Sequence, residues 1–212
     1  MGGFDARHVS PLPATRTRGT RLIEAFSPKL GRRVTLHDHL AFSQWVRLEA
    51  DPAVISLCER PARSAPPQSC LIDFWVQRPG GAQLIVLESR CDVALSVGAE
   101  PVEQVALAEI AAAGQWIANW ARMLPVVNAT RTLRPAALAQ AMLKRVSQPR
   151  SLASLEREVS SGDPAIVRGT VFDLLRQGLL RAPSLHVQPL SHHTLVEPAQ
   201  ERAPGHVPEP AR

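Results

Sequence analysis

Residues 71–90 read L-I-D-F-W-V-Q-R-P-G-G-A-Q-L-I-V-L-E-S-R and limit the possible folds more than any other stretch. Two apolar runs, 71–76 and 84–87, flank Arg78-Pro79-Gly80-Gly81, which is a turn signal between antiparallel strands. Asp73 enters on the first strand. Glu88 and Arg90 leave on the second with one residue between them, and so on the same face. Two carboxylates brought together in this way suit a hard divalent cation, and the basic side chain beside them suits the orientation of an attacking water.

The charge distribution frames that constellation. The chain of 212 residues carries a net charge of +5. Residues 1–33 contribute +5, residues 34–120 contribute −5, residues 121–181 contribute +6 and the remainder −1. The acidic hairpin therefore lies between a basic arm and a basic C-terminal block. Acids around a cation and basic flanks for a polyanion suit a nuclease body between DNA-holding parts. Solubility charge is the plain alternative.

Hydrophobic residues make up 45% of the chain, enough for a sizeable core. No apolar run approaches the ~20 residues of a membrane span. The N-terminal sequence lacks an apolar leader, so a cytoplasmic location and no membrane partner are expected. Cys58, Cys70 and Cys91 are odd in number and lack CxxC spacing, which favours buried thiols over a disulfide framework or a zinc site.

Taken in order, residues 1–33 read as a basic arm, with a possible short helix over 22–26. Residues 34–50 have the apolar spacing of an amphipathic helix, capped by Thr35 or Asp38 and closed by Asp51-Pro52. Residues 53–57 read as a strand and 59–69 as an irregular connection. After the hairpin, 93–97 read as a further strand and 101–123 as one long helix. Strands covered by helices make this half α/β, over residues 34–124.

Residues 125–132 read as a linker. Three helices follow, over 136–146, from Ser151, and over 165–177. The last has Asp163 as cap, Pro164 at its first position and Gly178 just past its end. Apolar patches at 179–180, 185–190 and 194–196 then suggest a β-hairpin. Three helices followed by a hairpin is the winged-helix pattern, over residues 125–199. Its third helix would show Arg168, Thr170 and Arg176 to DNA, or would serve as a protein-binding face. Residues 200–212 are Pro-rich and read as a disordered tail.

The order of these features resembles the TnsA-type endonuclease subunit of heteromeric cut-and-paste transposases. That family pairs a restriction-endonuclease-like, PD-(D/E)XK, N-terminal domain with a winged-helix C-terminal domain. The resemblance rests on Ser27-Pro28-Lys29-Leu30-Gly31-Arg32-Arg33-Val34, then Leu48-Glu49-Ala50-Asp51-Pro52-Ala53-Val54. It continues through Arg60-Pro61 at a Q-P step, Ile72-Asp73-Phe74 at the P-D-F strand and Glu88-Ser89-Arg90 at the E-x-K. The match spans about residues 20–196.

The resemblance implies transposition: metal-dependent hydrolysis at the 5′ side of transposon ends, beside a DDE-type transposase subunit and a possible AAA+ regulator. It implies Asp73, Glu88 and Arg90 as the catalytic set. Mg2+ or Mn2+ would be held by Asp73, Glu88 and the Ser89 carbonyl. Arg32, Arg33, Arg168 and Arg176 would contact DNA.

Two departures set the chemistry in question. Laying the family's V-x-x-E-S-x-L-E pattern on residues 34–41 puts Ala41 at the position of the helical catalytic glutamate. Asp38, one turn earlier, is a candidate substitute. Arg90 replaces a lysine; it stays charged but cannot act as a base through a lowered pKa. Three readings therefore stay open: an active endonuclease, a nuclease-fold protein that binds DNA ends and the transposase without cutting, and a winged-helix transcription regulator.

Overall fold

The computed structural model describes residues 10–13, 21–64, 70–88, 101–159 and 163–199. The predicted hairpin is present. Strand β4 (Phe74–Arg78) turns at Pro79-Gly80 into β5 (Gly81–Leu87), with Arg78 paired to Gly81. Gly81 has a φ of 131°, a conformation that favours glycine. β3 (Ser56–Glu59) lies antiparallel on the other edge of β4, and β6 (Val102–Val105) lies parallel to β5. The four form one mixed sheet in the order β3-β4-β5-β6.

The middle of this sheet is buried on both faces, where Leu57–Cys58, Phe74–Val76 and Leu84–Leu87 are apolar, whereas Glu103 and Gln104 of the edge strand β6 are exposed. Leu57, Phe74, Val76, Ile85 and Leu87 join the main core. Cys58, Ile72, Trp75, Leu84 and Val86 form a second, smaller cluster. Period-two alternation divides the strand residues of β3, β4 and β5 between the two clusters.

N-terminal to the sheet, β1 (Ile23–Ser27) and β2 (Arg32–Leu36) make a separate antiparallel pair, with Gly31 at φ 66° in the turn. This replaces the short helix expected over 22–26 and extends regular structure into the supposed arm. Helix α1 (His39–Ala50) follows, shorter than expected because Val34–Leu36 belong to β2. Asp38 is its cap and accepts the Ala41 N–H at 2.8 Å.

The single helix expected over 101–123 is instead β6, α2 (Leu107–Ala112) and α3 (Gly114–Thr130). Pairing with β5 supplies the backbone partners that make β6 a strand. Helix α3 runs through Pro125 and through most of the stretch read as a linker. Met123, Leu124 and Val127 on either side of the proline are fully buried. Their packing outweighs the N–H that Pro125 lacks. The boundary expected between 124 and 125 thus falls inside α3.

The C-terminal elements are α4 (Ala136–Arg145), β7 (Arg150–Ser151), α5 (Leu152–Glu158), α6 (Pro164–Arg176), β8 (Leu180–Arg181), a short 3-10 helix (Pro183–His186) and β9 (Leu195–Pro198). The three short strands form a sheet in the order β7-β9-β8. Asp163 caps α6 as expected, accepting the Ala165 N–H, and at the start of α5 the Ser151 side chain accepts the Ser154 N–H. Gly178, at φ 72°, ends α6 in a Schellman arrangement, with Gly178 N–H to Leu175 O and Leu179 N–H to Leu174 O.

Helix α6 packs on α3, and one core cluster unites residues from Val34 to Val196. The crossing is close: a methyl at Gly169 would collide with the Thr130 hydroxyl. A methyl at Gly178 would sit 2.8 Å from Pro52 Cβ. Among the described residues, no helix is long and apolar enough to cross a membrane. Cys58 is a free, buried thiol as expected, but Cys70 is disulfide-bonded, contrary to the expectation of thiols throughout.

Candidate functional site

The expected centre lies where β4 begins and β5 ends. Asp73, only 4% exposed, precedes β4, and its Oδ2 accepts the Leu87 N–H at 2.9 Å. Its own backbone N–H binds Ile85 O and its carbonyl receives the Arg60 N–H. Glu88, one residue past β5, is exposed, and its Oε2 accepts the N–H of Leu107, the first residue of α2. Both acids therefore stand at the same end of the hairpin and each serves a backbone donor. Ser89 and Arg90 lie outside the described residues.

Arg60 faces Asp73 across a defect in the sheet. β3 and β4 pair with Glu59 opposite Phe74, whereas the next bridge joins Arg63 to Leu71. One extra residue is thus accommodated on the β3 side, a bulge. Arg60 is the only described non-glycine residue with positive φ, at 48°. Its buried guanidinium donates to Thr35 O, and its carbonyl accepts the Leu12 N–H. Burial pushes its pKa down, opposed by Glu59. The strain is held by bonds on both sides of the backbone.

The helical position does not complete a metal set. Ala41 is buried and has no donor atom. Asp38, the candidate substitute, spends an oxygen on capping α1. Among the described residues, no three His, Cys, Asp or Glu side chains come together as a possible metal group. Asp73 and Glu88 each give one oxygen to a backbone N–H, which leaves these two carboxylates, with no third acid from α1, for the divalent cation that the resemblance implies.

A different buried carboxylate is the polar centre of the N-terminal half. Glu49 is fully buried on α1, where the Ser27 hydroxyl donates to it and the Lys29 N–H approaches at 3.4 Å. Burial raises its pKa, against the pull of Ser27 and Lys29. The Lys29 ammonium donates to Asp51 O at 2.8 Å and Val54 O at 2.6 Å. Desolvation lowers the Lys29 pKa to about 8 despite Glu49 nearby. The S-x-K and L-E-x-D-P residues that carried the resemblance thus clamp the β1–β2 turn onto the end of α1. Sequence reading missed this role, although Glu49 is spaced four residues from buried Trp45, a sign of the inward face.

No family model and no curated protein matches the chain. The site's chemistry rests on its own geometry.

The basic residues divide by engagement. Arg32 makes a two-pronged ion pair with buried Glu59, at 2.8 and 2.7 Å. Arg176 is 16% exposed and pairs with Asp173, as does Arg134. Arg168, about a third exposed, pairs with Glu156 at 2.6 Å. Arg131 covers the Phe26 ring at 4.9 Å. Among the described residues, Arg33, Arg122, Lys144 and Arg157 are exposed without an ion pair. Of the four expected DNA contacts, Arg33 is the one left free of a partner, and Arg168 is partly available. The structure brings Asp73 and Glu88 to one end of the hairpin, with the four arginines on β2 and α6.

Proposed function

We propose that this chain is a nuclease-fold subunit that holds DNA ends for a partner transposase and has little or no hydrolytic activity of its own. The observation that carries the reading is the state of the three acid positions. One is Ala41, and the other two, Asp73 and Glu88, each give an oxygen to a backbone N–H.

The fold supports the resemblance on which the partner rests. A helix, a three-strand antiparallel meander and a parallel fourth strand follow one another in α1-β3-β4-β5-β6. This is the succession expected of a restriction-endonuclease-like domain. The succession α4-β7-α5-α6-β8-β9, with its β7-β9-β8 sheet, is that expected of a winged helix. A DDE-type transposase and an AAA+ regulator would then be the neighbours, and Arg33, Arg122, Lys144 and Arg157 the free cations for phosphate contacts.

An active endonuclease remains the second reading, because Asp73 and Glu88 do flank one hairpin end. The deciding experiment incubates labelled transposon-end DNA with the protein, its transposase partner and Mg2+ or Mn2+. Tight binding without cleavage supports the holding role. Cleavage that D73A abolishes supports the enzyme. Binding at a promoter-like site with no affinity for the transposase supports the regulator.

A further inference from the structure

A cavity of about 160 Å3 lies between α3, α5, α6 and the loop that leads into β9. Arg122 enters its lining from α3, Arg168 from α6, and Ser191 and His192 from the loop. Leu152 and Phe172, both buried, supply apolar surface beside them. All four polar side chains reach solvent. Arg122, Ser191 and His192 are exposed, and the Arg168 side chain is 34% exposed.

The charge of this cavity is unbalanced. No Asp or Glu is part of its lining. Arg122 has no ion pair among the described residues. Glu156 holds Arg168 through Nε alone, at 2.6 Å, so both terminal nitrogens of that guanidinium keep their donors. The same carboxylate is 3.8 Å from His192 Nδ1, too far for a hydrogen bond. Ser191 Oγ accepts the His193 N–H at 3.2 Å, and its own hydrogen is left to donate.

The loop is ordered before any ligand arrives. Ser191 N–H donates to Thr194 Oγ1 at 3.0 Å, and Thr194 N–H donates to Ser191 O at 3.1 Å. The carbonyls of His192 and Thr194 accept the N–H groups of Ala153 and Leu152, both at 3.0 Å. The turn is thereby tied to the start of α5. A site set in advance loses little free energy to ordering when it binds.

Donors from α3, α6 and the loop thus converge on one small space. Apolar surface beside two guanidinium groups lowers the local dielectric and strengthens their pull on an anion. A phosphate presents oxygens in tetrahedral directions and can accept from all three elements at once. A planar carboxylate has only two oxygens and leaves one element unused. The guanidinium fork suits phosphate in particular.

We propose that this cavity seats one phosphate group, either a backbone phosphate of a DNA end or a free phosphate. The DNA source rests on the end-holding function proposed above; the phosphate chemistry does not.

The test titrates the full chain with inorganic phosphate by calorimetry, at constant ionic strength set with chloride. The wild type should bind one phosphate per chain. R122A, at an exposed position with no ion pair to lose, should weaken that binding about tenfold. R168K, which keeps the charge but loses the fork, should do the same. K144A, which removes an exposed cation outside the cavity, should leave it unchanged. A second arm follows the anisotropy of a labelled blunt duplex across salt concentrations. Where the cavity takes a backbone phosphate, R122A lowers the slope of log affinity against log salt by about one. Inorganic phosphate then displaces the duplex from wild type more than chloride of equal ionic strength, and loses that advantage in R122A. Phosphate binding that R122A weakens, with duplex affinity unchanged, upholds the cavity as a site for free phosphate. No phosphate binding by the wild type, or equal binding by wild type, R122A and R168K, overturns the proposal. So does a short polyglutamate peptide that binds through Arg122 where phosphate does not. A wild type that binds phosphate but no duplex would overturn the end-holding function and uphold the cavity.

Discussion

Two carboxylate centres in this chain have opposite settings. Glu49 is fully buried inside the N-terminal half, and its neighbours Ser27 and Lys29 are tied to the same place. Asp73 and Glu88 stand at a hairpin end, one nearly buried and one exposed. Motif residues are found at both. At the first, every donor and acceptor joins one part of the backbone to another. At the second, each acid gives an oxygen to a backbone N–H, and Ala41 supplies no third acid. The first carboxylate thus ties the β1–β2 turn to α1, whereas the other two each hold a single backbone N–H.

That contrast predicts a ranking of effects. E49A should cost the most, about 3 kcal/mol. It strips the Ser27 hydroxyl and the Lys29 N–H of their acceptor and leaves Asp51 as the remaining acid acting on the Lys29 charge. E49Q keeps an acceptor and should cost much less. Denaturant midpoints at constant m-value measure both. If E49A unfolds no more easily than E49Q, the clamp is not the structural centre described here.

D73A should come next, at about 1–2 kcal/mol, from leaving the buried Leu87 N–H without its acceptor. D73N should restore most of that stability, since an amide oxygen can still accept. E88A, at an exposed position, should change stability by less than about 0.5 kcal/mol. A large loss in E88A would mean that its bond to the start of α2 is worth more than an exposed cap contact.

The two centres should also differ in pH dependence. The raised Glu49 pKa means that the folded state holds this proton more tightly than the unfolded chain. Stability should therefore fall as pH rises from the ordinary carboxylate range through that raised value. Lys29, lowered from 10.5 to about 8, binds its proton less tightly when folded, so stability should rise between about pH 8 and 10.5. E49Q should remove the first slope and K29M the second, read from midpoints across pH. An unchanged profile in both variants would show that the clamp residues titrate as they do in the unfolded chain.

The hairpin and the C-terminal helices were legible because local chemistry specified them. Pro79-Gly80-Gly81 sets the turn, Asp163-Pro164 starts α6 and Gly178 ends it. What misled were places where tertiary contacts overrule local signals. β1 lies in Arg-rich sequence and gains its pairing only from β2. β6 has helix-compatible spacing but is claimed by β5, and Pro125 is carried inside α3 by buried neighbours on both sides. At the candidate site, sequence marked Asp73 and Glu88, and the resemblance marked Ala41. The sequence offered Asp38 as a helix cap, which the structure bears out, but gave no sign that Arg32 would be held by Glu59 or that Arg60 would sit in a bulge.

The most direct test of the central claim measures cutting and holding in one experiment. Wild-type protein and D73N, each with the transposase partner, are mixed with end-labelled transposon DNA in Mg2+ and then in Mn2+. The account predicts stable complexes in both variants and intact DNA in both metals. Cleavage at the 5′ side of the end by the wild type, lost in D73N, would contradict it.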